Sequence, residues 1–234
     1  MQPIISIIIP VLNEEAIIAQ TLKRLQASDD VELIVVDGGS QDRTVEIARQ
    51  MNIRAIAAEP NRASQMNAGA AIAKGNFLLF LHADSQLPSN YAKLVRQSLA
   101  QTKVIAGAFE LAIDAESKAL RLVETMVKLR SRFLQLPYGD QAIFIRKQAF
   151  IDIGGYANLP IMEDFEFISR LKHRGKIAIA PAAVVTSARR WQKLGVFKTT
   201  LVNQLIIIGY FLRISPHKLR NFYHRIGNSK KRSL

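Results

Sequence analysis

The chain has 234 residues, of which 49% are apolar and 22% are charged, a composition typical of a globular protein with one substantial core. Disordered, collagen-like and coiled-coil proteins are therefore excluded. The sequence contains no cysteine, which excludes a disulfide framework, a thiolate metal site and a cysteine nucleophile, and favours a reducing, cytosolic location. No continuous apolar run reaches the roughly 18 residues that a membrane-spanning helix requires.

The net charge of +13 is distributed unevenly along the chain. Residues 1–166 hold 17 Lys and Arg against 19 Asp and Glu, and Glu166 is the last acidic residue. Residues 167–234 hold 15 Lys and Arg and no acid. Such a one-sided segment indicates an anionic partner, whether a membrane surface, nucleic acid or a phosphorylated ligand, and the alternative is a solvated basic surface.

The first hundred residues alternate short apolar runs with amphipathic stretches. Strands are predicted at residues 4–10, 31–36, 53–57 and 77–81, most of them almost continuously hydrophobic, as buried parallel strands are. Two helices are predicted from their apolar faces, which are formed by Ile18, Leu22 and Leu25 and by Val45, Ala48 and Met51. Asp42 is the expected N-cap of the second helix. This alternation predicts an α/β fold with a mostly parallel central sheet.

The rest of the chain continues with both kinds of element. After Pro88 the pattern predicts a helix, a strand near residues 104–113 and a long helix to about residue 133. Residues 138–141 then lead into residues 142–146, and another helix opens at 162–166. Two amphipathic helices should follow. One face of the first is formed by Phe197, Leu201, Leu205, Ile208 and Leu212. The second is capped by Ser215-Pro216, and one of its faces is formed by Leu219, Phe222, Tyr223 and Ile226.

The C-terminal helices also carry Arg213, Lys218, Arg220 and Arg225. Such basic amphipathic helices either lie on a membrane or pack against the body of the domain. The predicted division is a domain at residues 1–190, an amphipathic basic helical extension at 191–226 and a disordered tail at 227–234.

Polar clusters close the predicted strands. The first strand ends in Asn13-Glu14-Glu15, the second in Asp37-Gly38-Gly39-Ser40 and the fourth in His82-Ala83-Asp84. Because ligands of open α/β sheets bind beyond the carboxyl ends of the strands, Asp37 and Asp84 are candidates to hold a divalent metal, a base or a ribose. Their alternative role is to cap the next helix. Gly38-Gly39 lacks the spacing of a dinucleotide-binding motif and the lysine of a P-loop.

In this order and spacing, several motifs resemble those of the family 2 glycosyltransferases, which have the GT-A nucleotide-sugar-binding fold. The motifs are Ser6-Ile-Ile-Ile-Pro10 with Asn13-Glu14-Glu15, Val36-Asp37-Gly-Gly-Ser40, Leu81-His82-Ala-Asp84, Gly154-Gly155-Tyr156 and Glu163-Asp164. The resemblance covers about residues 4–190. The stretch from Asn61 to Gly69 is similar to that of a bacterial subgroup of small, single-domain members.

The resemblance implies a nucleotide-sugar donor, a UDP-sugar or a GDP-sugar. The residues that it assigns to this donor are Pro10, Asn13, Glu14, Asp37, Gly38, Arg62, Gln65 and Asp84. A carboxylate can accept the ring N–H of uracil, and a proline offers an apolar surface to the base. For Arg62 the alternative is a surface position without contact to the donor.

The family's metal motif is Asp-X-Asp, and this chain has His82 at its first position and Asp84 at its last. The resemblance therefore implies Mg²⁺ or Mn²⁺ bound by Asp84 and by the diphosphate. His82 has three alternative roles: a second metal ligand, a contact to ribose or phosphate, or a residue behind the site.

Glu163-Asp164 is similar to the family's acidic pair at a helix that faces the acceptor, which makes Asp164 the expected general base and Glu163 its neighbour. Inverting transfer needs a carboxylate to take the proton of the attacking hydroxyl. The alternative is that both acids only stabilise the helix dipole. Asp140, Arg189, Arg190 and Trp191 are expected to contact the acceptor or the diphosphate, since an arginine fork suits phosphate and an indole suits a sugar ring.

The predicted function is an inverting, metal-assisted transfer of one sugar to a hydroxyl acceptor, either small or lipid-linked. The alternatives are a nucleotidyltransferase and a catalytically impaired, membrane-peripheral protein that binds sugar nucleotides. Nucleic-acid binding is not expected, because basic and aromatic residues do not interleave in the recognised way. The expected location is cytoplasmic, either free or peripheral on the inner face of the membrane, where an anionic surface would be a partner.

Overall fold

The computed structural model of the protein describes residues 5–26 and 30–228. Its strands are β1 Ile5–Val11, β2 Val31–Asp37, β3 Arg54–Ala57, β4 Phe77–Phe80, β5 Ser85–Gln86, β6 Val104–Asp114, β7 Phe144–Arg146 and β8 Lys176–Ser187. Its α-helices are α1 Glu15–Leu25, α2 Thr44–Gln50, α3 Arg62–Ile72, α4 Tyr91–Ala100, α5 Lys118–Leu134, α6 Lys147–Asp152, α7 Glu163–Lys172, α8 Arg189–Leu194, α9 Val196–Phe211 and α10 Pro216–Asn228. A short 3-10 helix spans Gly139–Gln141.

All described strands form one sheet in the order β3-β2-β1-β4-β7-β6-β8-β5. The half formed by β3, β2, β1 and β4 is parallel. In the other half β7 is antiparallel to both β4 and β6, β6 is parallel to β8, and β5 is antiparallel to β8. The α/β fold is confirmed, and the sheet that was expected to be mostly parallel is a mixed one.

Helices cover both faces of the sheet, which explains why its central strands are hydrophobic throughout. In β1, Ile7 and Ile9 pack with Ile18 and Leu22 of α1 on one face. Ile8 packs with α3 and α7 on the other face. Since β1 is buried on both faces, it has no polar alternation, as parallel strands between two helical layers require.

The predicted elements of the first 172 residues are found within a few residues of their expected bounds. The helix α2 begins at Thr44, and its N-cap is Arg43, so the prediction of Asp42 was wrong by one residue. The carboxylate of Asp42 accepts a hydrogen bond from the Thr44 N–H at 3.0 Å. The sequence analysis identified neither α3, whose alanine-rich sequence has little amphipathic contrast, nor β8, the long strand beside β6. It also missed the short elements β5, β7, α6 and α8.

The two C-terminal helices are present as predicted, and the structure shows which faces they bury. Val202 and Ile206 of α9 and Leu219 of α10 form a small core with Met162 and Phe165 next to α7. The predicted apolar stripe of α9 lies on the opposite, exposed face. Along the described ranges, no helix combines the length and hydropathy of a membrane span.

The predicted chain division remains a prediction. Its boundary at residue 190 falls inside α8. The first two residues of the predicted tail at 227–234 belong to α10, and residues 229–234 lie outside the described residues.

Candidate active site

The loops after β1 and β2 are held together by the polar residues that close these strands. Asn13 donates its backbone N–H to Ser40 Oγ at 2.9 Å, and its side-chain Oδ1 accepts from the Gln41 N–H at 2.8 Å. The buried carboxylate of Asp37 accepts from the backbone N–H groups of Gly39 at 3.0 Å and Ser40 at 3.1 Å. Asp37 therefore stabilises the loop that follows it, and its contact with the nucleotide stays a prediction.

The side chain of Gln65, on α3, connects the ends of β1 and β2. Its buried Nε2 donates to the carbonyl oxygens of Val11 at 2.9 Å and Val36 at 2.8 Å. A Cβ atom on Gly38 would come within 3.1 Å of this amide, so the glycine is needed for close packing at this point. Gln65 acts on the strand ends, and its contact with base or phosphate stays a prediction.

An arginine bridges two of the predicted nucleotide-binding acids. The guanidinium of Arg189 lies 3.3 Å from Glu14 Oε2 and 3.2 Å from Asp84 Oδ2. Burial raises the pKa of Glu14, and the positive charge of Arg189 opposes this rise. The structure thus brings together the ends of β1 and β4 and the start of α8, which are up to 175 residues apart in sequence.

Arg62, at the start of α3, has a positive charge that affects three acids of the site. Its positive charge lowers the pKa values of Glu14, Asp140 and Glu163, although burial raises all three. Within the described ranges Arg62 forms no ion pair with a carboxylate. Its side chain is exposed, so its guanidinium is available to an anionic ligand, and its contact with the donor stays a prediction.

The predicted general base is positioned by the start of α7 and by the 3-10 helix. Met162 precedes α7 with a left-handed backbone at φ 66°, a conformation that bulky residues rarely adopt. The Oδ2 atom of Asp164 then accepts the backbone N–H of Gly139 at 2.7 Å. This bond fixes the carboxylate in a small cavity lined by Pro10, Met66, Phe80, Leu81, His82, Gly139, Tyr156, Glu163 and Asp164.

Two further acids, Glu163 and Asp140, interact electrostatically with Asp164, and their pKa values are raised. Burial, followed by the negative charge of Asp164, raises the pKa of Glu163 to about 7. Burial also raises the pKa of Asp140 to about 6, since the opposing charge of Arg130 is outweighed. The Oδ1 atom of Asp140 is buried without a hydrogen-bond partner in the described part of the chain. Such an atom is available to a ligand hydroxyl.

His82 lies with the acids of α7. A Cβ atom on Gly139 would be 3.4 Å from His82 Nε2 and 3.2 Å from Asp164 Oδ2. Burial, with a contribution from Arg62, lowers the pKa of His82 to about 3, so its imidazole is neutral at physiological pH. Asp84, two residues later, is instead in contact with Arg189.

The turn that carries Gly139 and Asp140 depends on a residue that the sequence analysis did not assign. The fully buried Gln141 accepts hydrogen bonds from Ser131 Oγ at 2.8 Å and Arg130 Nη2 at 3.2 Å, and it donates to the Phe109 carbonyl at 2.8 Å. The Arg130 guanidinium also lies 3.5 Å from the centre of the Tyr138 ring. These contacts connect α5 and β6 to the turn that holds Asp164.

The three residues at the start of α8, Arg189, Arg190 and Trp191, contact different parts of the protein. Arg190 lies 3.8 Å from the centre of the Tyr223 ring of α10, and its Nε and Nη2 atoms are buried without a hydrogen-bond partner among the described residues. Trp191 is half-buried and packs against the core on the α1 side of the sheet. Arg189 thus contacts predicted site residues, whereas the contacts of Arg190 and Trp191 with acceptor or diphosphate remain predictions.

Comparison with known protein families decides the assignment of the chain. Residues 6–158 match the family described as Glycosyl transferase family 2. The chain belongs to this family. The match includes the loops after β1, β2 and β4 and ends before Glu163 and Asp164, so the assignment of the base depends on the geometry at α7.

The relatives agree with this family. An uncharacterized glycosyltransferase of Haemophilus influenzae is 29% identical over 180 residues, which are 71% of this chain and 61% of the relative. The chain therefore spans about three fifths of that relative's length.

Solved structures confirm the GT-A fold. S. aureus TarS, solved with UDP-GlcNAc, superposes with a TM-score of 0.63 at 18% identity over 79% of this chain and 58% of that chain. The mannosyltransferase PcManGT from Pyrobaculum calidifontis, solved with GDP-Man and Mn²⁺, gives a TM-score of 0.59 at 17% identity over 79% of this chain and 57% of that chain. At such identities the likeness establishes the fold only.

Proposed function

We propose that this protein transfers one sugar, with inversion at the anomeric carbon, from a UDP-sugar or GDP-sugar to an acceptor hydroxyl. The observation that carries the proposal is the placement of the Asp164 carboxylate. It lies at the start of α7, held by the Gly139 N–H, in a cavity that also includes Pro10 from the nucleotide-binding end of β1. The proposed base and the proposed donor-binding end of β1 therefore line one cavity.

The donor would bind at the carboxyl ends of β1, β2 and β4, where Glu14 and Asp84 lie. The family membership supports this placement, as do the UDP-GlcNAc and GDP-Man complexes of the structural neighbours. Arg62 and Arg189 would contact the diphosphate, because Arg189 pairs with both acids and the charge of Arg62 lowers the pKa of Glu14. Arg190 supplies further N–H donors.

A divalent ion fits the residues at this place if most of its ligands come from the donor. Along the described ranges no group of three or more His, Asp or Glu residues could hold an ion. Mg²⁺ and Mn²⁺ commonly bind through one carboxylate together with phosphate oxygens and water. Asp84, whose carboxylate already attracts a cation in Arg189, is the residue proposed to hold the ion. When bound, the ion would offset the charge of the leaving diphosphate.

The protein's own residues account for the proton transfer. Asp164 takes the proton of the acceptor hydroxyl while that oxygen forms a bond to the anomeric carbon. The bond between this carbon and the diphosphate breaks, and the electron pair leaves with the diphosphate toward Arg62 and Arg189. Neutral His82 and the unpartnered Oδ1 of Asp140 can orient sugar or acceptor hydroxyls by hydrogen bonding. We propose the cytoplasm as the location, consistent with a chain without cysteine.

The test is a screen of nucleotide sugars for thermal stabilisation, with Mn²⁺ or with chelator. A ligand present at 100 times its Kd should stabilise the folded state by about 2.7 kcal/mol. UDP-sugars or GDP-sugars that stabilise the protein are then incubated with hydroxyl acceptors, and NMR determines the anomeric configuration of the product. Asp84→Asn should lose the stabilisation by donor and metal, whereas Asp114→Asn, at the exposed end of β6, should keep it.

The outcomes separate this proposal from its alternatives. Transfer with retained configuration would refute the inverting mechanism. Donor binding without turnover on any acceptor would support a catalytically impaired binding protein. Absence of stabilisation by every sugar nucleotide would overturn the proposal itself.

A further inference from the structure

The helix α9 is apolar on two sides, and the side that faces outward is the more apolar one. Its buried positions are Thr199, Val202, Ile206 and Gly209. Its exposed apolar residues, continued by one residue beyond the helix, are Phe197, Leu201, Leu205, Ile208, Phe211 and Leu212. Phe197 is 82% exposed and Leu212 is 70% exposed. Helices that face water usually have the reverse arrangement, so this outer face is a candidate interaction surface.

The hairpin of α9 and α10 is attached to the domain, which fixes the side that it presents. Val202, Ile206 and Leu219 pack on Met162 and Phe165. A Cβ atom on Gly209 would lie 2.7 Å from a methyl group of Leu219, so the glycine allows the two helices to approach closely. The inner face is therefore occupied, and only the outer face of α9 is available to a partner.

The hairpin that carries this outer face also has exposed cations without ion pairs. Lys198 on α9 and Arg213, Lys218, Arg220 and Arg225 on the following turn and α10 are all exposed. Within the described part of the chain none of these five takes part in an ion pair. No acid follows Glu166 in the sequence. The surface therefore combines large exposed apolar side chains with unneutralised cations, which matches a lipid bilayer with anionic headgroups.

A second exposed apolar stripe, on α5, lacks this charge pattern. It consists of Leu122, Met126, Leu129 and Phe133. Most of its neighbouring cations are already paired, Lys128 and Arg132 with Glu110 and Arg121 with Glu124. On α5, Lys118 is the exposed cation without an ion pair among the described residues. Charge complementarity with an anionic surface therefore distinguishes the α9–α10 hairpin from α5.

The inner side of the same hairpin borders the catalytic residues. The Tyr223 ring of α10 is stacked by the guanidinium of Arg190 at 3.8 Å. The pKa of the Tyr223 hydroxyl is raised mainly by burial, and the charges of Asp164 and Asp140 contribute. One two-helix unit thus has the catalytic acids near its inner side and the apolar, cationic face on its outer side.

We infer that the outer face of the α9–α10 hairpin docks the protein peripherally on an anionic lipid bilayer. Phe197, Phe211 and Leu212 enter the headgroup region, and Arg213, Lys218 and Arg220 contact lipid phosphates. Docking by this hairpin places the active site beside the bilayer. The acceptor hydroxyl therefore belongs to a membrane-bound lipid or amphiphile, an inference that rests on the proposed transferase function.

The docking is tested by sedimentation with vesicles of phosphatidylcholine alone and of equal parts phosphatidylcholine and phosphatidylglycerol. The full chain should bind the anionic vesicles and lose binding as salt rises. Each charge removed should weaken binding on the order of fivefold, the equivalent of about 1 kcal/mol per cation. Lys218→Gln with Arg220→Gln should therefore weaken binding much more than Lys23→Gln with Lys93→Gln, two exposed cations on α1 and α4.

The apolar part is tested by a matched pair of double variants. Leu201→Ser with Ile208→Ser should abolish most of the binding, whereas Leu122→Ser with Met126→Ser on α5 should not. Because all four side chains are about half exposed or more, these variants should fold, and their melting temperatures check that they do.

Three results would overturn the inference. These are equal binding to both vesicle types, binding to neither, and a lipid-free dimer that is lost in Leu201→Ser with Ile208→Ser, which would make a second copy the occupant of the face. Stabilisation of the protein by nucleotide sugars is measured without vesicles. Failure of docking with intact donor binding would therefore refute this inference alone, and loss of donor binding would refute the proposed function alone.

Discussion

Replacing Asp164 by Asn tests the general base with little change in shape. The Asn carbonyl can still accept the Gly139 N–H that binds Asp164 Oδ2 at 2.7 Å. What is lost is the hydrogen bond between Asp164 Oδ1 and the Phe165 N–H, which should cost on the order of 1 kcal/mol. Removal of the charge also relieves its repulsion of Glu163 and Asp140. The fold should therefore tolerate this variant.

The expected effect is on the rate. An amide cannot take the proton of the acceptor hydroxyl, and loss of a general base reduces the rate by roughly 10²–10⁴-fold. This corresponds to about 2.7–5.4 kcal/mol of activation free energy. Donor affinity should stay nearly unchanged, because the proposed diphosphate contacts are made by Arg62, Asp84 and Arg189.

The assay measures initial rates of transfer together with the nucleotide Kd by calorimetry. Glu166→Gln is the matched control, because Glu166 is also an acid in the first turn of α7 but pairs with Arg170. If the acids of this turn only stabilise the helix dipole, both variants should lose similar stability and neither should lose catalysis. Turnover of Asp164→Asn close to that of the wild type, on an acceptor that the wild type uses, would remove Asp164 from the role of base.

Three further predictions concern the metal, a buried acid and the packing of α3. Asp84→Ala should make the nucleotide Kd insensitive to Mn²⁺, since the ion loses its protein ligand; calorimetry with Mn²⁺ and with chelator measures this, and an unchanged metal effect contradicts it. Because the pKa of Glu163 is raised from 4.5 to about 7, the folded protein keeps a proton that the unfolded chain releases, and stability should fall as pH rises between these values. Glu163→Gln should remove that fall in melting temperature between about pH 5 and about pH 8, and an identical pH profile for both proteins would refute the raised pKa. Gly69→Ala should cost about 1–3 kcal/mol in urea unfolding, since its Cβ would lie 2.5 Å from Ile8 Cγ2; an unchanged midpoint would show that α3 can shift away from β1.

The parts of the fold that could be predicted are those whose signal is local. A strand buried on both faces, such as β1, is hydrophobic at nearly every position, and an apolar run is visible without knowledge of its partners. The loops after β1, β2 and β4 were found from the polar residues that close these strands, and the roles of the acids of α7 came from the family motif. By contrast, α3 buries an alanine-rich face whose contrast is too weak for a periodicity argument.

The parts of the site that could not be predicted depend on contacts between distant segments. The role of Gln141 becomes visible only when Phe109 and Ser131 are beside it, because a glutamine in a sequence does not indicate whether it is buried. Arg62 was assigned to the donor by the resemblance, but its influence on the acids of the site could not be predicted. Its effect on Glu14, Asp140 and Glu163 arises because α3 begins where the ends of β1 and the start of α7 meet.

The helix α9 shows why periodicity alone could not identify its buried side. The predicted stripe of Leu201, Leu205 and Ile208 does share one face, yet the domain covers the opposite face, which includes Thr199 and Gly209. What decides between the faces is shape, since only a small residue such as Gly209 lets Leu219 of α10 approach. Once close packing of the hairpin has fixed the inner face, the larger apolar residues of α9 can be buried only by a partner outside the described fold. The hydrophobic pattern therefore specified that α9 is a helix, and the position of one glycine specified which of its faces stays exposed.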